Sequence, residues 1–272
     1  MNDSNNRRPS KAYLNDTFLR SSDARQLRIL SEYIEPESRL AHYQVEDTIV
    51  FMGSARFISR EQAETELKAA EAAGGDVARA RMRLEMSRYY EASRELAHRL
   101  TEWSKGLSGG ARRFVVCTGG GPGIMEAANR GASEARGVNV GLSISLPMEE
   151  SGNRYITREL SFQFHYFFMR KFWFAYLAKA VIFMPGGFGT FDELFELLTM
   201  VQTGKIKKHM PLVLFGKSFW DEVVNFEALA RYGCIDARDV DLFYRTDSVD
   251  DAFNYLVAEL SKHAEAERGA IL

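Results

Sequence analysis

The residues best suited to chemistry sit in one stretch, Met184 to Leu198, which reads MPGGFGTFDELFELL. Gly186, Gly187 and Gly189 follow an apolar run with the texture of a strand, and an amphipathic, helix-like pattern follows them. Glycines at such a turn let backbone N–H groups approach an anion closely, and the positive end of the next helix dipole adds attraction. Glu193 places a carboxylate in the same stretch. Thr190 stands three residues earlier, so TFDE also fits a helix capping box in which Thr190 caps and Glu193 reaches back. That role and one in a cleft are compatible. Asp192, about 100° around the helix, is expected to face elsewhere.

Two more glycine-bearing turns end predicted strands. Gly53-Ser54-Ala55-Arg56 follows DTIVFM, and Gly119-Gly120-Gly121-Pro122-Gly123 follows RFVVCT. Ligands of open α/β sheets bind beyond the carboxyl ends of the strands, so three such turns predict a cradle for a phosphate and its sugar. The spacing matches neither GxGxxG nor a P-loop, which counts against a dinucleotide-binding dehydrogenase and a P-loop ATPase. Arg170 and Lys171 lie in HYFFMRKFWF, so apolar a run that one of the two is expected to pair with a carboxylate or phosphate. His165 reads as structural. Cys117 and Cys234 are too few and too isolated for a disulfide framework or a metal knuckle, and both are expected as reduced thiols.

The elements that must hold these residues can be read from the rest of the chain. Apolar residues make up 46% of 272, enough for a sizeable core. The 35 basic and 37 acidic residues leave a net charge of −2, without the basic excess expected of a nucleic-acid partner. The longest apolar run, Phe172 to Met184, contains Lys179 and is shorter than the ~20 residues a bilayer span needs. No signal peptide is visible, and a cytoplasmic location is expected.

Residues 1–45 read as an N-terminal helical extension. Residues 1–10 are expected to be disordered, and Pro36 to interrupt a helical zone from Tyr13 to Tyr43. Residues 46–272 read as a Rossmann-like domain with a helical insert at about 60–106, whose second helix spans about Asp76 to Lys105. Six strands are expected, near residues 49–52, 113–118, 138–147, 180–185, 210–216 and 241–244. Helices are expected from PGIMEAANRGASEARG, closed by Gly137, from Phe164 to Ala178, from TFDELFELLTMVQTG, closed by Gly204, from Phe219 to Arg231, and from about Val249. The alternation predicts an α/β fold, a doubly wound parallel sheet flanked by helices.

Taken together, GGGPGIMEAANRGA, MRK and PGGFGTFDE resemble the signature of the LOG (Lonely Guy) family, PGGxGTxxE preceded by an Arg-Lys pair. The resemblance covers roughly residues 47 to 260. The family long carried a lysine decarboxylase label. Its characterised members are phosphoribohydrolases of cytokinin biosynthesis, acting on cytokinin riboside 5′-monophosphates, and several are also AMP nucleosidases. The resemblance implies a Rossmann-like sheet and a homo-oligomer, a dimer or an assembly of dimers, with sites at the dimer interface. It implies Arg170 and Glu193 as the catalytic pair and Gly186, Gly187, Gly189 and Thr190 as the phosphate loop. Gly120, Gly121 and Gly123 match the family's first glycine turn, and Glu126 a glutamate near the ligand. The extension, the insert, FHYFFMRK and Phe191-Asp192 depart from the short plant-type members and look like the longer bacterial branch, which leaves the preferred base open.

Cleavage of an N-glycosidic bond passes through an oxocarbenium-like state. A carboxylate near the anomeric carbon stabilises that charge and orients or deprotonates a water, while an arginine fixes the carboxylate and the ribose. A 5′-phosphate held by glycine loops supplies binding energy remote from the breaking bond. Such chemistry implies no metal and no cofactor. Lysine decarboxylation would need a Schiff-base lysine for pyridoxal phosphate, and Lys171 beside an arginine is a poor one. The expectation is hydrolysis of a nucleoside 5′-monophosphate to free base and ribose 5-phosphate. The alternative is a non-catalytic nucleotide-binding or cofactor-carrier protein, which would be free to lose Glu193 while keeping the glycine turns.

Overall fold

The computed structural model describes residues 9–107, 110–145 and 153–264. The disorder expected at the start falls, for residues 1–8, outside the described residues. In chain order the elements are α1 (Asp16–Arg20), α2 (Arg25–His42), β1 (Thr48–Met52), α3 (Arg60–Ala73) and α4 (Val77–Lys105). Next come β2 (Val115–Thr118), α5 (Ile124–Glu134), β3 (Asn139–Ile144), β4 (Ser161–Phe164), α6 (Phe167–Leu177) and β5 (Ala178–Phe183). The chain continues with α7 (Phe188–Gln202), β6 (Leu212–Phe215), α8 (Lys217–Val223), α9 (Phe226–Arg231), β7 (Tyr244–Thr246) and α10 (Val249–Glu259).

The strands form one parallel sheet in the order β4-β3-β2-β1-β5-β6-β7. Residues of each central strand alternate between two cores. Val50, Met52, Val181 and Phe183 pack with Trp173 and Leu194 on one face, and with Leu40 of α2. Ile49, Phe51, Ala180 and Ile182 pack with Leu96, Ala128 and Leu256 on the other. Helices thus cover both faces, and strands buried on both sides read as continuous apolar runs. The fold is α/β, Rossmann-like and doubly wound. No helix among the described residues is long and apolar enough to cross a membrane.

Six expectations need correction. Pro36 lies buried inside α2 without ending it. Its missing N–H would have bonded the Glu32 carbonyl, and the indole Nε1–H of Trp173 donates to that carbonyl instead, at 3.0 Å. The strand β4 was not expected at all. It is four residues long, and its alternation (Phe162 and Phe164 in, Ser161 and Gln163 out) merges into the aromatic run of α6. Accordingly α6 starts at Phe167 rather than Phe164. The helix expected from Phe219 to Arg231 is two short helices, the second capped by the Asn225 side chain on the Ala228 N–H. The last strand lies at Tyr244–Thr246, because Ala237–Asp241 form a 3-10 turn. Arg136, not Gly137, takes the left-handed conformation after α5 (φ +53°), while Gly204 does so after α7 (φ +68°) as expected.

Candidate active site

The chain runs from β1 outward to β4, then returns to β5 on the other side of β1. The strand order therefore reverses at β1, and ligand crevices of such sheets form at that point. The turns after β1, β2 and β5 are the three glycine turns. They border a cleft of about 1030 Å³, at the upper end of the ~300–1,000 Å³ typical of small-molecule sites.

Two glycines fix how tightly the turns meet. Gly123 has φ +73°, and a Cβ there would collide with the Ser54 carbonyl, which accepts the Ile124 N–H at 3.0 Å. A Cβ on Gly186 would collide with the Thr190 side chain. At Gly187 and Gly189 a Cβ would meet no atom of the described residues. Packing among the described residues therefore makes no demand for glycine at 187 and 189, and both border the cleft.

The capping box is not formed. α7 begins at Phe188 with Gly187 at its N-cap and no side-chain cap, so Thr190 is the third helical residue and Glu193 lies in the second turn. The helix thus starts three residues before the capping box would place it, with Gly186 lying against the Thr190 side chain. The N–H groups of Thr190 and Phe191 turn back to the Gly187 carbonyl, at 2.9 and 3.1 Å. Those of Phe188 and Gly189 have no carbonyl a turn behind them.

Glu193 is freed from capping and points into the cleft, where it is buried. Burial pushes its carboxyl up to about 7, against the opposing pull of Arg170 and Lys171. Arg170 Nη2 stands 3.4 Å from Glu193 Oε1, with the guanidinium carbon 5.2 Å from the centre of the Phe167 ring. The expectation that one of the two bases would find a carboxylate is exceeded, because Lys171 Nζ lies 2.8 Å from both Asp192 and Glu196. Burial pulls the Lys171 amine down, but the hydrogen bonds it donates to those two carboxylates hold it above its ordinary value. A Schiff-base lysine needs the opposite.

Gly53, Ser54, Gly121, Gly186, Gly187, Gly189, Thr190, Arg170 and Glu193 all border the cleft. Gly120, Gly123 and Glu126 do not. Gly120 backs onto Ser143, and Glu126 accepts the Tyr90 hydroxyl at 2.9 Å on the α4 side of α5. His165 lies before α6, with its backbone N–H on Glu32. Cys117 is buried and Cys234 exposed, neither in a disulfide.

Sequence reading placed Arg56 in the first glycine turn without giving it a role, and missed the cleft's apolar walls, which include Phe57, Met125, Phe174 and Phe219. Arg56 had a local signal in Gly-Ser-Ala-Arg, and its N–H donates to the Ser54 hydroxyl at 3.1 Å. The walls had none, because apolar cleft and core residues look alike in sequence. Phe188, 96% exposed, stands at the lip.

Residues 125–256, a little under half of the chain, match the family model described as "Possible lysine decarboxylase". No curated protein matches. Among solved structures, the chain is similar to TM1055, a structural-genomics target, at 19% identity and TM-score 0.47, over 78% of this chain and 99% of that one. It is also similar to the Moco carrier protein from Chlamydomonas reinhardtii, at 19% identity and TM-score 0.46, over 80% and 99%.

Proposed function

We propose that the protein is a LOG-type phosphoribohydrolase that hydrolyses nucleoside 5′-monophosphates, AMP or a cytokinin riboside monophosphate, to free base and ribose 5-phosphate. The observation that carries this reading is Glu193, a buried carboxyl held at about 7 and facing Arg170 on the wall of a glycine-bordered cleft. The match of residues 125–256, which include both side chains, supports it.

The 5′-phosphate sits at the start of α7, on the N–H groups of Phe188 and Gly189 and the Thr190 hydroxyl. Placed there, the sugar lies along α7 toward Glu193, one turn further on. As the glycosidic bond lengthens, the ionised Glu193 faces the growing positive charge, and a carboxylate with this proton affinity can also take a proton from the attacking water near neutral pH. Arg170 holds Glu193 ionised and in place. The apolar walls receive the base. A carrier protein on the same fold would have no use for burying an ionisable Glu193 beside an arginine, at a cost in stability. The protein acts as a homo-oligomer, in which a second subunit covers Phe167, Phe168 and Phe188, 51%, 54% and 96% exposed.

Incubation with AMP, CMP, GMP and isopentenyladenosine monophosphate, with assay of free base, tests the reaction. Release of adenine from AMP far faster than from adenosine is expected. Intact nucleotides after prolonged incubation would leave the carrier reading. Sedimentation at micromolar concentration tests the assembly, and a monomer would count against it.

A further inference from the structure

The N-terminal extension meets the helix that carries Arg170 at its most sensitive place. Tyr166, the N-cap residue of α6, supplies no side-chain cap, and neither does any other residue of α6. The carboxylate of Glu32 on α2 does so from outside, accepting the His165 N–H at 2.8 Å and the Tyr166 N–H at 3.2 Å. The main-chain carbonyl of the same residue takes the Trp173 indole N–H at 3.0 Å, two turns along α6. That carbonyl lacks its helical partner because Pro36, four residues on, has no N–H to give it. Tyr33 packs its ring on Phe172 and Trp173, at 5.6 and 5.7 Å between ring centres. Arg39 completes the contact by donating to the Ser161 carbonyl of β4 at 3.1 Å.

Arg170 lies between the two points that Glu32 holds, and its own N–H makes the first helical bond, to the Tyr166 carbonyl at 3.2 Å. A carboxylate at a helix N-terminus opposes the unpaired N–H groups and the positive dipole end, so it fixes the first turn in direction as well as in stability. A misplacement of about 1 Å in a group that faces the reacting centre costs on the order of 10²-fold in rate.

We propose that Glu32 is a positioning residue for Arg170: capping α6 from the N-terminal extension, it sets the distance between the Arg170 guanidinium and Glu193. The effect on turnover rests on the function proposed above, whereas the effect on geometry does not. Glu193 itself reports the geometry. The charged groups that face it are Arg170 and Lys171 from α6 and Asp192 and Glu196 from α7, with Arg56 on the same cleft. Of these, Arg170 opposes the effect of burial most.

The test compares wild type, Glu32→Ala and Glu32→Gln as full chains, all checked for folding by thermal melting. Glu193 is titrated by carbon-13 NMR, assigned with Glu193→Gln, and AMP turnover is measured in parallel. Loss of the cap in Glu32→Ala should raise the Glu193 midpoint by at least about half a pH unit, because the guanidinium moves away. It should lower kcat by about 10-fold or more with KM for AMP within about 3-fold of wild type. Glu32→Gln keeps a side-chain acceptor and should recover most of both. A purely structural cap would lower the melting temperature and leave the titration and kcat untouched. A folded Glu32→Ala protein with the wild-type Glu193 midpoint overturns the proposal, whatever the enzyme does with AMP. A raised midpoint in a protein that cleaves no nucleotide would uphold the positioning and reject the reaction.

Discussion

Arg170 and Glu193 face each other across the α6–α7 contact with Nη2 and Oε1 3.4 Å apart, both largely out of water. The distance is too long for a strong hydrogen bond, so the pair acts mainly through charge. The guanidinium holds the carboxyl down while burial pushes it up, and burial is the larger effect. Replacing Arg170 by Gln removes the opposing charge, so the Glu193 midpoint should climb above 7. The acid limb of the pH–rate profile should move to higher pH with it. Activity on AMP at pH 7 should fall by on the order of 10²-fold or more, the loss expected when an electrostatic group of a reacting centre is removed. An Arg170→Gln enzyme with an unmoved acid limb would show that Arg170 does not act on Glu193.

Glu193→Gln separates catalysis from stability. A carboxyl whose midpoint is raised from 4.5 to about 7 binds its proton more tightly folded than unfolded. Between those values the native state keeps a proton that the unfolded chain has lost, so stability falls as pH rises through the window and stays low above it. The shift corresponds to an effect on the order of 3 kcal/mol. Glu193→Gln has no such loss. It should match wild type near pH 4 and be the more stable protein at pH 8, by denaturant unfolding at each pH, while its kcat on AMP drops about 10²-fold or more. Equal stability at pH 8 would mean that the buried carboxyl is ionised at no cost.

The three glycine turns and the strands before them were legible because each rests on local chemistry, whereas Arg170 and Glu193, 23 residues apart on two helices, were joined only by the family resemblance. A run such as Ile49 to Met52 can be buried only in a strand covered on both faces, and glycines at its end can only be a turn. What failed depended on distant partners. Pro36 continues a helix because Trp173, far along the chain, takes over a carbonyl. Thr190 does not cap because the helix already starts at Phe188, with Thr190 its third residue. The aromatic run of α6 also gave no sign of what covers it. Part of it is covered within the chain by Tyr33 of α2, leaving Phe167 and Phe168 exposed.

Lys208 makes the opposite pH prediction at the far end of the sheet. It is buried, and its ammonium donates to the carbonyls of Ala175 and Tyr176 at the end of α6, at 2.7 and 2.9 Å. Burial, with Lys179 nearby, lowers its midpoint from 10.5 to about 7, although Asp47 opposes the change. Above pH 7 the unfolded chain therefore binds a proton that the native state has released, and stability should rise with pH up to about 10. Lys208→Met removes that dependence. The stability of wild type relative to the variant should increase from pH 6 to pH 9. A difference that stays constant across that range would show that Lys208 remains charged in the fold.

Gly187 and Gly189 give the sharpest separation of binding from folding. A Cβ at either position meets no atom of the described residues, and neither residue takes a left-handed conformation. Gly189 lies within the first turn of α7, where alanine is the better helix former by up to about 1 kcal/mol. Gly189→Ala should therefore melt at or slightly above the wild-type temperature, and Gly187→Ala close to it. If a phosphate rests on the N–H groups of Phe188 and Gly189, either added methyl group intrudes on it. KM for AMP should then rise by about 10-fold or more while the slow cleavage of adenosine, which has no phosphate to displace, stays unchanged. Alanine variants that bind and cleave AMP as wild type does would place the phosphate elsewhere in the cleft and leave these two glycines without a role in binding.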